Sequence, residues 1–359
     1  MTEEKRHIIK RILLKLLMLV LLLAVLDVVY YFTLYQKDID ENCSLMELSQ
    51  LAEEGVDIVY LGESSNFSCA ETDTDRRNIC MMVEDLLPGH HVGNLTKGAC
   101  HAGVYYDIMR NIPRKSDVKT VIVTVNMRSF TSEWIYSNLE TALRKERIFM
   151  KKAPVLYQRM LLAFKAFPVW TEEERWAIVG KGIENQKFSL PYPFPYHNAY
   201  EWDHGMADSH KLYNGEIPSD DSLAVACHHI KHFACQLDDR NPRIKDFDKI
   251  VALCKQRGWC PVFNILAENV DQIGSMCGPD LIYLLEQNVK YVRERYEPRG
   301  VLVVNNLRAV RDCDFTDRDF PTEHYTQTGR LSIATNVADS LRKYDILTCR
   351  KGMPSDYHE

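Results

Sequence analysis

Five short β-rich runs alternating with helical stretches constrain the fold of this chain more than any other feature. The runs fall at residues 56–61, 91–95, 120–126, 261–266 and 300–305, and helical spacing of apolar residues falls at 75–87, 103–112, 247–257, 280–295 and 331–341. Strands that alternate with helices predict a parallel sheet covered on both faces. Runs such as Val121-Ile-Val-Thr-Val125 and Val301-Leu-Val-Val304 carry almost no polar residue, as doubly covered strands do. Between the third and fourth runs lie more residues than one crossover needs. Residues 127–245 are therefore expected to form an insertion with two or more helices. Its middle, Phe188 to Trp202, is rich in proline and aromatics and cannot be regular helix.

The amino-terminal end sets a different constraint. Leu16 to Tyr35 is interrupted by one charge, Asp27. At ~1.5 Å per helical residue such a stretch crosses a hydrocarbon core of ~30 Å. Lys5, Arg6, Lys10, Arg11 and Lys15 flank only its first end, and Tyr30, Tyr31 and Tyr35 suit the far interface. The expected layout is a cytoplasmic tail at 1–11, a transmembrane anchor at 12–35, a polar stalk at 36–48, an α/β domain at 49–346 and a tail at 347–359. The positive-inside rule places the main domain outside the cytoplasm, in a periplasm or beyond the cell. No small-residue cleavage site follows the apolar stretch, which favours a retained signal anchor. Asp27 is costly in lipid and is expected either to face a partner's helix or to sit near the wet outer interface.

Beyond residue 35 the chain holds 39 basic against 47 acidic residues, which argues against a nucleic-acid partner. All eleven cysteines lie beyond the apolar stretch, and Cys254 and Cys260, bracketing a helix-to-strand turn, are the first expectation for a disulfide.

Two segments far apart in sequence suggest chemistry. Gly62-Glu63-Ser64 ends the first strand, where open α/β sheets place ligands, and His324 stands just ahead of the last helical stretch. A serine hydroxyl is a weak nucleophile until a base takes its proton, and an imidazole is the natural base.

Together with Asn94-Leu-Thr-Lys-Gly98 and Asn126, these segments resemble, in order, the four short blocks of the SGNH/GDSL hydrolase superfamily. With the anchor, the chain further resembles membrane-tethered SGNH-like proteins of bacterial surface-polysaccharide O-acetylation. The resemblance implies a three-layer, flavodoxin-like parallel sheet and an acyl-transfer or esterase activity on acyl, chiefly acetyl, esters. It implies Ser64 as nucleophile, His324 as base, and Gly98 and Asn126 as oxyanion donors beside the Ser64 N–H. It departs from the superfamily at Pro321, where the supporting acid usually stands. Asp319 is the first expectation for that acid, with Asp317 and Glu323 open. Adjacent side chains in extended chain point apart, which counts against Glu323. The partners implied are a cell-surface glycan, the membrane and a membrane-embedded acyl-donor protein, with no cofactor. The alternative is a non-catalytic glycan-binding or assembly module that keeps the fold.

Three further features were weighed. Tyr196 and Trp202, in the aromatic stretch, could stack on sugar rings or pack as a lid on their own neighbours. His228 and His232 share a helical face, but without a second ligand cluster they are expected to be solvent-facing histidines and no metal is assigned. Asn66-Phe-Ser68 and Asn94-Leu-Thr96 fit a glycosylation sequon yet lie in the expected catalytic loops, so they are read as chance.

Overall fold

A computed structural model describes residues 2–52 and 55–344, so the tail expected at 347–359 lies outside the described residues. Two compact units divide the chain, one of residues 1–47 with 141–169 and the other of residues 48–140 with 170–359.

In the first unit, no glycine or proline interrupts residues 2–42, and the chain stays helical from Glu3 to Asn42. The expected stalk is thus largely helix, broken only by a π turn at Tyr31–Tyr35. This helix is long and apolar enough to cross a membrane. Large apolar side chains from Leu13 to Leu34 are exposed along it. Asp27 finds its partner within the chain: its Oδ1 accepts the Leu156 N–H at 2.7 Å, in the first turn of the helix Val155–Ala163. Free N–H groups at a helix start are suited to meeting a carboxylate. Residues 141–169, expected within the insertion, instead belong to this unit.

The second unit is built on five parallel strands: β1 (Ile58–Gly62), β2 (Val92–Thr96), β3 (Thr120–Val125), β4 (Cys260–Ile265) and β5 (Leu302–Asn305). Their order is β2-β1-β3-β4-β5. Each expected run became a strand, because runs apolar on both faces can be buried only inside a covered sheet. Ile58, Tyr60, Ile122, Val262 and Val304 point to one face, where the helices Ile79–Leu86 and Gln327–Lys343 cover them. Phe263, one residue out of phase, packs on the other face against Phe247 and Tyr296 of the helices Pro242–Arg257 and Pro279–Tyr296. The chain leaves β1 for β2 on one side and resumes at β3 on the other, which opens a crevice at the carboxyl ends of β1 and β3.

The expected Cys254–Cys260 pair is not formed. Cys254 is a free thiol, fully buried on the inner face of its helix, whereas Cys260 opens β4 and is disulfide-bonded to another residue. Gly258, at φ 72°, ends the helix and turns the chain between them, so the two side chains serve different environments.

Candidate active site

Every strand contributes to one cluster at the carboxyl edge of the sheet. After β1, Glu63 is extended and Ser64 opens the single-turn helix Ser64–Phe67. Gly62 permits this sharp exit: a Cβ there would lie 2.9 Å from the Tyr60 ring and 3.0 Å from Thr96 Oγ1. Asn66, fully buried, fastens the turn. Its Nδ2 donates to Asn94 Oδ1 and Thr96 Oγ1, and its Oδ1 accepts the Cys80 N–H. Both sequon asparagines are therefore occupied in the turn's framework. Gly98 lies in the loop just past β2, near the Phe67 ring.

His324 arrives on the excursion that follows β5. Phe315 and Tyr325 form an antiparallel bridge, and the Thr316 N–H donates to the His324 carbonyl at 3.0 Å. Within this narrow loop Asp317 and His324 face each other. His324 Nδ1 lies 2.5 Å from Asp317 Oδ2, and His324 Nε2 lies 2.9 Å from Ser64 Oγ, across 260 residues of sequence. Asp317, one of the two acids left open, and not the first-expected Asp319, meets the imidazole. Asp319 stands in the turn at the loop's tip and is exposed, because the bridge fixes which residues lie opposite His324. Burial works against the charge of Asp317, but hydrogen bonds from His324, Thr322 and Thr316 outweigh it and hold its pKa below the usual carboxylate range.

Beneath the serine lies a buried network that the sequence did not announce. Arg128, just after β3, donates to both carboxylate oxygens of Glu323 and to the Pro321 carbonyl. Asn126 Nδ2 donates to the same carboxylate at 2.8 Å. The amide expected at the oxyanion is thus engaged with Glu323, and one of its two hydrogens remains to donate elsewhere. Glu323 points into this network while its neighbour His324 points to Ser64, as extended chain requires. Glu268, beyond β4, is buried close to Glu323.

Two further buried carboxyls, Glu63 and Glu268, lie close enough to feel the charge of Glu323. A low-dielectric site disfavours the charged form of a carboxyl that has no cation of its own. Glu323 pairs with Arg128, which keeps its charge against burial through that carboxylate. Burial and then the charge of Glu323 push Glu268 well above the usual range, and the same two causes raise Glu63. Glu63 also touches the serine. Ser64 Oγ is 2.9 Å from both His324 Nε2 and Glu63 Oε2, and a hydroxyl donates only once.

The raised pKa of Glu268 makes stability depend on pH. A carboxyl whose folded-state pKa is raised contributes stability below its unfolded pKa, and that contribution is lost as pH rises through the folded value. The wild-type melting temperature is expected to fall from mildly acidic to alkaline pH, and Glu268→Gln is expected to flatten that fall. Thermal melts of the two proteins across this window test the assignment. Parallel curves would show that Glu268 does not hold the proton.

The aromatic stretch packs mainly on itself. Trp202 is buried beneath Phe188, Phe194 and Tyr196, and Tyr196 stacks on it at 6.3 Å. The pocket they line contains neither Ser64 nor His324. Trp202 therefore has no open ring face for a sugar, and its burial follows from the proline-bent chain folding back on its own rings. The histidine expectation also changes. His229 and His232 are buried, because the helix Asp220–Phe233 is covered by its neighbours on the face that holds them. His229 Nε2 lies 3.0 Å from Gln272 Oε1, and Gln272 Nε2 donates to the Arg318 carbonyl in the base-bearing loop.

Sequence reasoning also missed Arg330. This fully buried side chain donates to Asp73 and to the carbonyls of Ser68, Asp75, Arg77 and Tyr325. It joins the segment after the serine to the residue after the histidine. An arginine six residues beyond a candidate base was its only trace in the sequence.

No protein-family model matches this chain, and no curated protein is similar to it at a significant level.

Proposed function

We propose that this protein is a membrane-anchored, SGNH-like serine acyltransferase or esterase acting on acyl esters of a cell-surface glycan. The observation that carries the reading is the line Ser64 Oγ, His324 Nε2, His324 Nδ1, Asp317 Oδ2, with gaps of 2.9 and 2.5 Å at its two hydrogen-bonding steps. The strand order, that of flavodoxin-like doubly wound sheets, and the position of Ser64 just past the carboxyl end of β1 support it. The ester in question carries an acyl group, chiefly acetyl.

In this mechanism His324 Nε2 takes the Ser64 proton as Oγ bonds to the acyl carbon. The imidazolium then gives that proton to the departing alkoxide, leaving an acyl-Ser64. Water or a sugar hydroxyl, deprotonated by His324, bonds to the acyl carbon, and Ser64 leaves with the proton. Asp317 holds the ring with Nδ1–H towards itself, so that Nε2 faces the serine. The Ser64 N–H, the Gly98 N–H and the free hydrogen of the Asn126 amide are the proposed oxyanion donors. The amino-terminal helix would keep the domain on the outer side of the membrane, beside a membrane-embedded acyl donor.

The test is active-site labelling of the full-length protein in detergent with a fluorescent fluorophosphonate. The wild type is expected to take up about one label per chain, and Ser64→Ala and His324→Ala to take up essentially none. A wild type that stays unlabelled, or a label that survives in Ser64→Ala, would reject the enzyme and leave the glycan-binding module.

A further inference from the structure

Outside the proposed active site, three side chains from two elements converge on one point. Glu133 stands on the short helix Ser132–Ile135 beyond β3, and His228 and His232 stand one turn apart on Asp220–Phe233. One donor atom from each lies within 4.8 Å of the other two. His232 Nε2 is 2.8 Å from Glu133 Oε2, and His228 Nδ1 is 3.7 Å from Glu133 Oε1. The two imidazoles lie near parallel, with centroids 5.9 Å apart.

Hydrogen bonding does not account for this convergence. Glu133 Oε2 and His228 Nδ1 are buried without a hydrogen-bond partner, although Oε2 is so close to His232 Nε2. His232 itself is only 1% exposed. Orphaned polar atoms on a nearly enclosed side chain call for a missing partner. Glu133 and His228 keep about a quarter of their side-chain surface open, which leaves an entry path.

We propose that Glu133, His228 and His232 bind one divalent transition-metal ion of the zinc class, with a fourth position open to water or an exogenous ligand. Two imidazole nitrogens and a carboxylate oxygen suit zinc, cobalt or nickel and are a poor set for magnesium or calcium. Helical i, i+4 spacing is what places two histidines on one ion. The ion would close the 4.8 Å triangle with coordinate bonds to all three side chains.

Its surroundings suggest a brace. The Phe320 ring, in the loop that carries Asp317 and His324, packs 4.8 Å from His228 and 6.0 Å from His232. Trp134, next to Glu133, lies under the Arg128 guanidinium at 4.6 Å. An ion here would tie the helix Asp220–Phe233 to both segments that shape the serine site, without touching the reacting atoms.

Cobalt(II) provides a test that does not depend on activity. The full-length protein in detergent, stripped with chelator, is titrated with Co²⁺ and then with Zn²⁺. The expected result is visible tetrahedral d–d absorption saturating at one equivalent and bleached by zinc, with a melting-temperature rise of about 3 °C or more at saturation. Glu133→Gln and His228→Asn, both at partly exposed positions, should weaken the spectral titration by at least about 100-fold while retaining the wild-type circular dichroism. A wild type that gives no one-equivalent saturation overturns the site whatever the variants do. So does a spectrum that Glu133→Gln and His228→Asn leave unchanged, or one carrying thiolate charge transfer, which would place the ion on cysteine. The triad would then be only a buried ion pair.

Discussion

Asp317→Asn is expected to lower kcat for aryl acetate hydrolysis by roughly 10³–10⁴-fold, while Asp319→Asn changes it by less than about threefold. The reason is tautomeric. With a carboxylate at 2.5 Å, Nδ1 carries the proton and Nε2 presents a lone pair to Ser64. An asparagine at 317 can offer an N–H instead, which favours protonation at Nε2 and turns the base away from its task. The geometry would survive and the proton acceptor would not. Asp319 is exposed on the loop's tip, where losing its charge alters little. The measurement is steady-state turnover of both variants, with fluorophosphonate labelling rates as a check. Equal losses in the two, or an Asp317→Asn protein within about tenfold of wild type, would refute the assignment of Asp317 as the supporting acid.

The second large effect is on stability. Arg330→Ala is expected to destabilise the domain by about 3–5 kcal/mol, because it strands a buried carboxylate at Asp73 and leaves four carbonyls to find new partners. For a domain of this size that corresponds to a melting temperature lower by about 10 °C. Arg330→Lys is expected to recover little. An ammonium has three donors on a flexible stem and cannot reproduce a planar fork reaching Ser68, Asp73, Asp75, Arg77 and Tyr325 together. Thermal denaturation of both variants gives the answer. A fall of only about a degree in Arg330→Ala would mean that the buried fork contributes little.

These two predictions concern one mechanical problem. Ser64 and His324 come from opposite ends of the domain's sequence, and a hydroxyl–imidazole contact tolerates little error. Arg330 holds the two segments from one side. Arg128 and Glu323 hold the base-bearing loop from another, with Glu323 adjacent in the chain to His324. The serine–histidine pair thus sits on buried, charged supports rather than on free loops.

What could be read from the amino-acid order was whatever depends on near neighbours. The five strands were legible because β-branched runs such as Val121 to Val125 suit only a sheet buried on both faces, and the amino-terminal helix because its apolar length is uninterrupted by glycine or proline. Ser64 and His324 were legible because each stands at a recognisable boundary, one at a strand's end and one before a helix. What needed the folded chain was every choice among residues competing for a place in space. The bridge between Phe315 and Tyr325 set Asp317 rather than Asp319 against the imidazole. Burial gave Trp202 to the protein's interior, turned His229 and His232 inward, and set Glu323 on Arg128 with Glu63 and Glu268 buried as well. Periodicity along a polymer reports which face of an element is apolar. It carries no record of which distant polar groups will meet once water is excluded, and that meeting decides where the protons reside.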